Sequence, residues 1–261
     1  MNILDKIVAD KRIEVDLKKS VIPIQQLETS VLFERQTFSL ANNLRHSTSG
    51  IIAEHKRRSP SKSIINHSLN VQDVASGYEH AGVCGMSVLT DGKYFGGSLD
   101  DLIIARSSCN LPLLRKEFII DEYQILEAKA YGADVILLIA AVLSRSEIKT
   151  LSEFAKSLQL DVLLEVHNED ELQKSIMPSL DMLGVNNRNL KTFEVSLDTS
   201  KELSERIPND FVKVSESGIS SVEAIKELQP YGYQGFLIGE NFMKTDNPGS
   251  AAMDFINKLK N

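Results

Sequence analysis

The stretch IIAEHKRRSPSKSIIN, residues 51–66, ends an apolar run in a carboxylate and an ammonium, Glu54 and Lys56. Side chains alternate along a strand, so these two share one face and His55 points to the other. A basic loop with Ser59, Pro60 and Ser61 follows. Other apolar runs end in the same way. LPLLRK leads to Arg115, Lys116 and Glu117, with Leu114, Lys116 and Phe118 on a common face. DVLLEV carries Glu165, DMLGVN ends in Asn186 with Arg188 close behind, and FVKVSE runs into Ser215, Glu216, Ser217 and Gly218. A single polar strand end is ordinarily a solvated terminus. Five such ends converging within one mouth make a site.

The chemistry such a mouth supports is proton transfer on an anion. A lysine among apolar walls has its pKa lowered by desolvation and raised again by nearby carboxylates, so it stays protonated and serves as a general acid. Glu54 and Glu165 offer acid and base roles tuned separately by their surroundings. Lys56 and Arg188 are cations suited to an anionic group. SESGIS and LIGENF each set a glycine just past a strand, where backbone N–H groups and a following helix N-terminus can cradle a phosphate. A glycine after a strand is also an ordinary turn, but in barrels a phosphate site recurs after strands seven and eight.

The elements that must position these groups alternate. Apolar runs begin near residues 50, 84, 111, 134, 161, 181, 211 and 235. Between several of them lie amphipathic segments. NVQDVASGYEHAG sets Val71, Val74, Ala75 and Tyr78 on one face, and DEYQILEAKAYG stops at Gly132. SRSEIKTLSEFAKSLQ has Ser144 or Ser146 as N-cap, and SSVEAIKELQPYG ends at Pro230. Strand–helix repeats imply parallel strands with right-handed crossovers, and eight of them fit a (β/α)8 TIM barrel. The runner-up is an open doubly wound sheet, which usually carries a glycine-rich loop after its first strand; EHKRRSPSKS is not one. Residues 1–48 read as an N-terminal helical extension broken at Pro23. No linker divides residues 1–261, so one domain is expected.

Composition excludes several classes. A net charge of −7 argues against nucleic-acid binding, and any anion site must be a local basic cluster. Two cysteines, Cys84 and Cys109, suit a reducing cytosol, and Cys84 is read as core. The charged start MNILDKIVADKR has no apolar h-region, and the longest apolar run, VILLIAAVL, is far short of a membrane span. A cytoplasmic chain with no membrane partner is expected. The five histidines form no metal set. Arg57 and Arg58 are read as solvated.

The motifs IIAEHKRRSPSK, SVLTDGKYFGGSLDDL, LPLLRKEFIIDEYQI, LLEVHNEDEL, GVNNRNL, VSESGI and GFLIGENFM occur in this order over about residues 50–245. In order and spacing the chain resembles the indole-3-glycerol phosphate synthase family. The resemblance implies a ring-closing lyase of tryptophan biosynthesis. Its substrate is 1-(2-carboxyphenylamino)-1-deoxyribulose 5-phosphate, and it needs no cofactor or metal. It implies Lys116 as the general acid at the ketone oxygen, Glu165 as the carboxylate of the later dehydration, and Glu54 as a second catalytic carboxylate. Lys56 would pair with the substrate carboxylate and also donate a proton, and Asn186, counted with the catalytic residues, and Arg188 would hold the anthranilate side. Glu216 would contact substrate, and Ser59 with its loop would close over the site. Ser217, Gly218, Gly239 and the Glu240 turn would carry the phosphate. Phe95, Phe118, Leu137 and Leu237 would wall the aromatic ring. Two positions depart from the family pattern: Ser63 replaces a common glycine, and Glu240 a common serine. A carboxylate beside a phosphate is repulsive, so the Glu240 side chain is expected to turn away. The competing readings are a barrel that uses Lys116 for a Schiff base with a sugar phosphate and a non-catalytic binding barrel. The length leaves no room for a fused second barrel, so a single activity is expected. A monomer is expected as well.

Overall fold

A computed structural model of the chain describes residues 3–60, 62–190 and 192–261; Ser61 of the basic loop lies outside them. Eight parallel strands close into a ring in chain order. They are β1 (Ile51–His55), β2 (Gly85–Leu89), β3 (Leu113–Lys116), β4 (Val135–Ile139), β5 (Asp161–Val166), β6 (Met182–Asn186), β7 (Val212–Glu216) and β8 (Tyr233–Ile238). β1 pairs with β2 on one side and with β8 on the other, Ile52 opposite both Gly85 and Leu237. The open doubly wound alternative is therefore ruled out.

Three helices precede the ring: α1 (Ile3–Val21), α2 (Ile24–Glu28) and α3 (Leu40–Arg45). The connections hold α4 (Val71–Ala81), α5 (Gly92–Phe95), α6 (Leu99–Ser108), α7 (Glu122–Ala130), α8 (Arg145–Ser157), α9 (Glu169–Ser175), α10 (Asp198–Ser204) and α11 (Val222–Leu228). After β8 come α12 (Glu240–Met243) and α13 (Pro248–Lys260). The caps follow the sequence. Ser144 and Glu147 form a reciprocal capping box on α8. Pro230 ends α11 within a 3-10 turn, and Pro23 caps the start of α2. No helix among the described residues is long and apolar enough to cross a membrane.

Strand parity divides the core. On β4, Val135, Leu137 and Ile139 point into the ring, while Ile136 and Leu138 pack outward under the helices. Burial on both faces explains why the strands read as continuous apolar runs. The N-terminal end of the ring is filled by α3, whose Leu40, Ala41 and Leu44 join Ile52, Cys84, Leu114 and Val214 in one buried cluster. Ser39 caps α3 through the Asn42 N–H and donates its own hydroxyl to Asp161 at 2.8 Å, which ties the plug to β5.

At the opposite end α1 is held by buried charge. Lys11, 2% exposed, lies 3.0 Å from both Asp91 and Glu117 and 2.8 Å from Glu14. Arg115 points outward from β3 and is fully buried against Glu127 (3.1 Å), the Gln124 carbonyl and Thr90. Arg57 and Arg58 are not simply solvated. The Arg57 guanidinium forks onto Asp101 (2.5 and 2.8 Å), and Arg58 donates to the carbonyls of Gly92 and Lys93. The loop after β1 is thereby strapped to the segment after β2, because planar guanidinium groups match carboxylate and carbonyl acceptors there.

Candidate active site

The parity that puts leucines inside the ring carries polar groups to its C-terminal mouth. Glu54 follows Ile52, Lys116 follows Leu114, Glu165 follows Leu163 and Glu216 follows Val214, each two residues on along an inward-facing row. Lys116 is the hub. Its ammonium donates to Glu216 and lies 3.4 Å from Glu165 Oε2. The Asn186 amide donates to Glu165 Oε1 at 3.1 Å. Lys56 is paired with Glu54 at 2.6 Å, and His55 faces away, buried without a hydrogen-bond partner. Burial, and secondarily the Arg57 charge, pull His55 down to about 4, so it is neutral at ordinary pH.

One glycine makes the hub possible. Gly184 faces inward on β6, and a Cβ there would sit 2.5 Å from Glu216 Oε1 and 3.2 Å from Leu163. Any side chain would push Glu216 off Lys116. The turn after β7 is unusual as well, since Ser217 (φ +67°) and Gly218 (φ +80°) both lie in the left-handed region. Such a turn aims successive N–H groups to one side, and for a serine it is a strained conformation.

Opposing effects set the protonation of the hub. Burial disfavours the Lys116 charge, but Glu216, Glu165 and Glu54 outweigh it and hold the proton more firmly than in water. For Glu165, burial is overcome by Lys116 and His167, which keep it well below the usual carboxylate range. For Glu216, burial wins over Lys116, with Glu165 and Glu54 adding repulsion, and the carboxyl is pushed up to about 7. Its Oε1 has no hydrogen-bond partner. Two carboxylates beside one ammonium have thus been driven apart, the pattern that separates acid from base.

A titration signature follows. Glu216 keeps its proton in the fold while the unfolded chain, with an ordinary glutamate pKa of 4.5, gives it up. The fold therefore loses stability from this group as pH rises from about 4.5 to about 7. Glu216→Gln is expected to lack that loss. The Tm difference, variant minus native, should become more positive between pH 5 and pH 7.5. A difference independent of pH would contradict it.

All the residues expected at the site line one cavity of about 440 Å³ at this mouth. Glu54, Lys56, Lys116, Glu165, Asn186 and Glu216 form its floor and walls, and Phe95, Phe118, Leu137 and Leu237 an apolar side, with the Phe95 and Phe118 rings 6.0 Å apart. Ser59, Arg188, Ser217, Gly218, Gly239 and Glu240 line the same space. The Glu240 carboxylate reaches Lys62 of the loop after β1, 2.6 Å away. Sequence reasoning missed Ile3, Leu4 and Ile7, which bring α1 to the cavity. Their spacing of three and four residues marks a helix face but does not say what that face covers. It also missed Glu216 as the partner of Lys116. Among the described residues no group of three or more His, Cys, Asp or Glu side chains is placed to hold a metal ion.

Closed ring and polar mouth together define the class: a (β/α)8-barrel protein with acid–base groups at the C-terminal ends of its strands. The solved structure of KGPDC from Streptococcus mutans shares the fold, with a TM-score of 0.59 at 16% identity, covering 80% of this chain and 96% of that one. The family model for indole-3-glycerol phosphate synthase matches residues 4–255. An indole-3-glycerol phosphate synthase of Bacteroides thetaiotaomicron is 47% identical over 259 residues, 99% of each chain. One of Polaromonas naphthalenivorans is 42% identical over 254 residues, 96% of this chain and 97% of its own. The chain belongs to the indole-3-glycerol phosphate synthase family, whose members are carboxy-lyases of tryptophan biosynthesis.

Proposed function

We propose that the barrel mouth closes the indole ring, converting 1-(2-carboxyphenylamino)-1-deoxyribulose 5-phosphate to indole-3-glycerol phosphate, carbon dioxide and water. The observation that carries the reading is the Lys116 ammonium held among Glu216, Glu165 and Glu54 at the floor of an otherwise half-apolar cavity. Ring closure interrupts aromaticity and builds negative charge on the ketone oxygen. A preorganised ammonium stabilises that charge and supplies the proton. Glu216 orients Lys116. Lys56 exchanges Glu54 for the substrate carboxylate, with Asn186 and Arg188 on the anthranilate side, and Phe95, Phe118, Leu137 and Leu237 flank the ring. Once the carboxylate has left as carbon dioxide, the new hydroxyl departs as water. Glu165, ionised and bonded to Asn186, handles the proton of that step, with Glu54 as the second carboxylate. Ser59 and its loop close over the bound molecule. The firm hold on the Lys116 proton speaks against a Schiff base, which needs a neutral amine.

The phosphate falls to the turn at Ser217 and Gly218 and to Gly239 with the Glu240 backbone. The pairing of Glu240 with Lys62 supports a side chain turned from the phosphate. A carboxylate still remains nearby, so Glu240→Ser is expected to lower KM by about 1.5- to 5-fold, the range of an exposed charge interaction, with kcat little changed. A raised KM would show instead that the pair helps to hold the loop shut. In the same reading the enzyme works in the cytoplasm as a monomer. Two buried free cysteines and a site built from one chain support this.

The decisive experiment adds the carboxyphenylamino-deoxyribulose phosphate and follows indole fluorescence. The chain has no Trp, so the signal belongs to product alone. Folded protein that gives none would refute the assignment.

A further inference from the structure

Behind Glu165, on the side away from Lys116, stands a group with no role in the scheme above. His167 follows Glu165 by two residues, just past the end of β5, and its side chain is only 9% exposed. Its Nε2 lies 3.2 Å from Glu165 Oε1, an ion-pair contact. Its Nδ1 lies 3.1 Å from Glu171 Oε2, and the same oxygen accepts the His167 backbone N–H at 2.8 Å. Glu171 is itself fixed at the start of α9, where Asn168 donates to its Oε1 and accepts from its backbone N–H. A carboxylate, an imidazole and a second carboxylate thus run in line from the floor of the mouth to a partly exposed side chain. Buried imidazoles are usually held by one such partner, and their orientation follows from it.

Ring closure gives this line a task. The substrate enters as a carboxylate and loses neutral carbon dioxide, so each turnover takes up one proton at the mouth. The carboxylates around Lys116 bind its proton firmly, and the cavity walls limit water. A proton must be returned from solvent every cycle.

We propose that His167, braced by Glu171, positions Glu165 and passes protons between it and solvent. In the forward step the imidazolium gives its Nε2 proton to Glu165 Oε1 and is left neutral with its Nδ1 proton directed at Glu171; a proton from water then restores the imidazolium, so the net proton comes from solvent. His167 is a positioning and proton-exchanging residue; it does not touch the reacting atoms. The charges acting on it are Glu165 of β5 and Glu171 of α9. Lys116 of β3 lies on the far oxygen of Glu165, Asn186 of β6 donates to the same Oε1 that faces His167, and Lys174 is turned to the carbonyls of Ala140 and Leu143. Burial disfavours a charged imidazole, but the bonds and charges of the two carboxylates lift it to about 10, so it is protonated at neutral pH.

The inference rests on the ring-closure reading, and its test keeps the two apart. His167→Gln is expected to lower kcat about 10- to 100-fold, the usual cost of losing an outer partner of an active group, with KM within about twofold. Added imidazole should restore part of the rate. Glu171→Gln should show a smaller fall in the same direction, and it serves alone if His167→Gln does not fold. An unchanged kcat overturns the inference, as does a fall that imidazole leaves untouched with a kcat–pH profile superimposable on the native one. Impaired Glu165→Gln beside an unimpaired His167→Gln sinks only this inference; native turnover in Glu165→Gln sinks the role given to Glu165 itself.

Discussion

Replacing Lys116 with methionine is expected to lower kcat by about 10²- to 10⁴-fold, the contribution usual for a positioned general acid. Methionine keeps the length of the stem but removes both the charge and the proton. Glu216 and Glu165 then face each other with no ammonium between them, and Glu54 adds its charge. The variant should relieve this by taking up a proton, a change shared by the cluster rather than owned by one residue. Binding of indole-3-glycerol phosphate should survive, because the turn proposed for the phosphate and the apolar wall are intact. Lys116→Arg separates charge from proton transfer. Arginine keeps the cation but does not give up its proton in proteins. If Lys116→Arg turns over at more than a few per cent of the native rate, electrostatics alone suffices and the acid role is wrong.

The largest expected loss of stability comes from a residue on no strand. Lys11→Met leaves Asp91 and Glu117 buried, each with a side chain no more than 3% exposed, without the cation 3.0 Å from both. Removing one member of a buried, paired set costs about 3–5 kcal/mol. For a chain of this size that corresponds to a fall in Tm of about 6–20 °C. The cost is that of uncompensated charge, so Glu117→Gln in the Lys11→Met background should recover part of it. A double variant no more stable than the single one would contradict this account. The loss should also reach the mouth, because Asp91 caps α5 next to Phe95 and Glu117 adjoins Lys116.

These two residues mark what the sequence disclosed and what it hid. Lys116 was legible because strand parity is a local rule. A strand beginning near residue 111 whose Leu114 faces inward must bring Lys116 to the mouth, and the same rule placed Glu54 and Glu165. Strand starts were legible for a related reason, since burial on both faces leaves runs such as VILLI with no polar interruption. Lys11 was not legible. Its partners lie about 80 and 106 positions away, and nothing in VADKRIEV separates a buried lysine from a solvated one. The pairing of Lys116 with Glu216 spans 100 residues and depends on the space left by Gly184. Arg57 and Arg58 looked solvated because their acceptors come from the next strand's loop. The short helices α9 and α10 escaped notice because EDELQKS and DTSKELS each hold a single apolar residue, too few to show a period, whereas the equally short α11 holds four.

The register of the ring has one more consequence. Glu54 and Lys56 come from the end of the first strand and the residue just past it, the Ser217 and Gly239 turns follow the last two, and the seam that unites them joins β1 to β8 across some 180 residues of chain. Contacts so distant form late, after the entropy of a long loop has been met. A nascent chain emerging from the ribosome can build helices and neighbouring strands, yet it owns no working centre until its final strand arrives. Competence should then appear in a single step when the seam zips, and a chain interrupted before β8 should be inert however much of its secondary structure has formed.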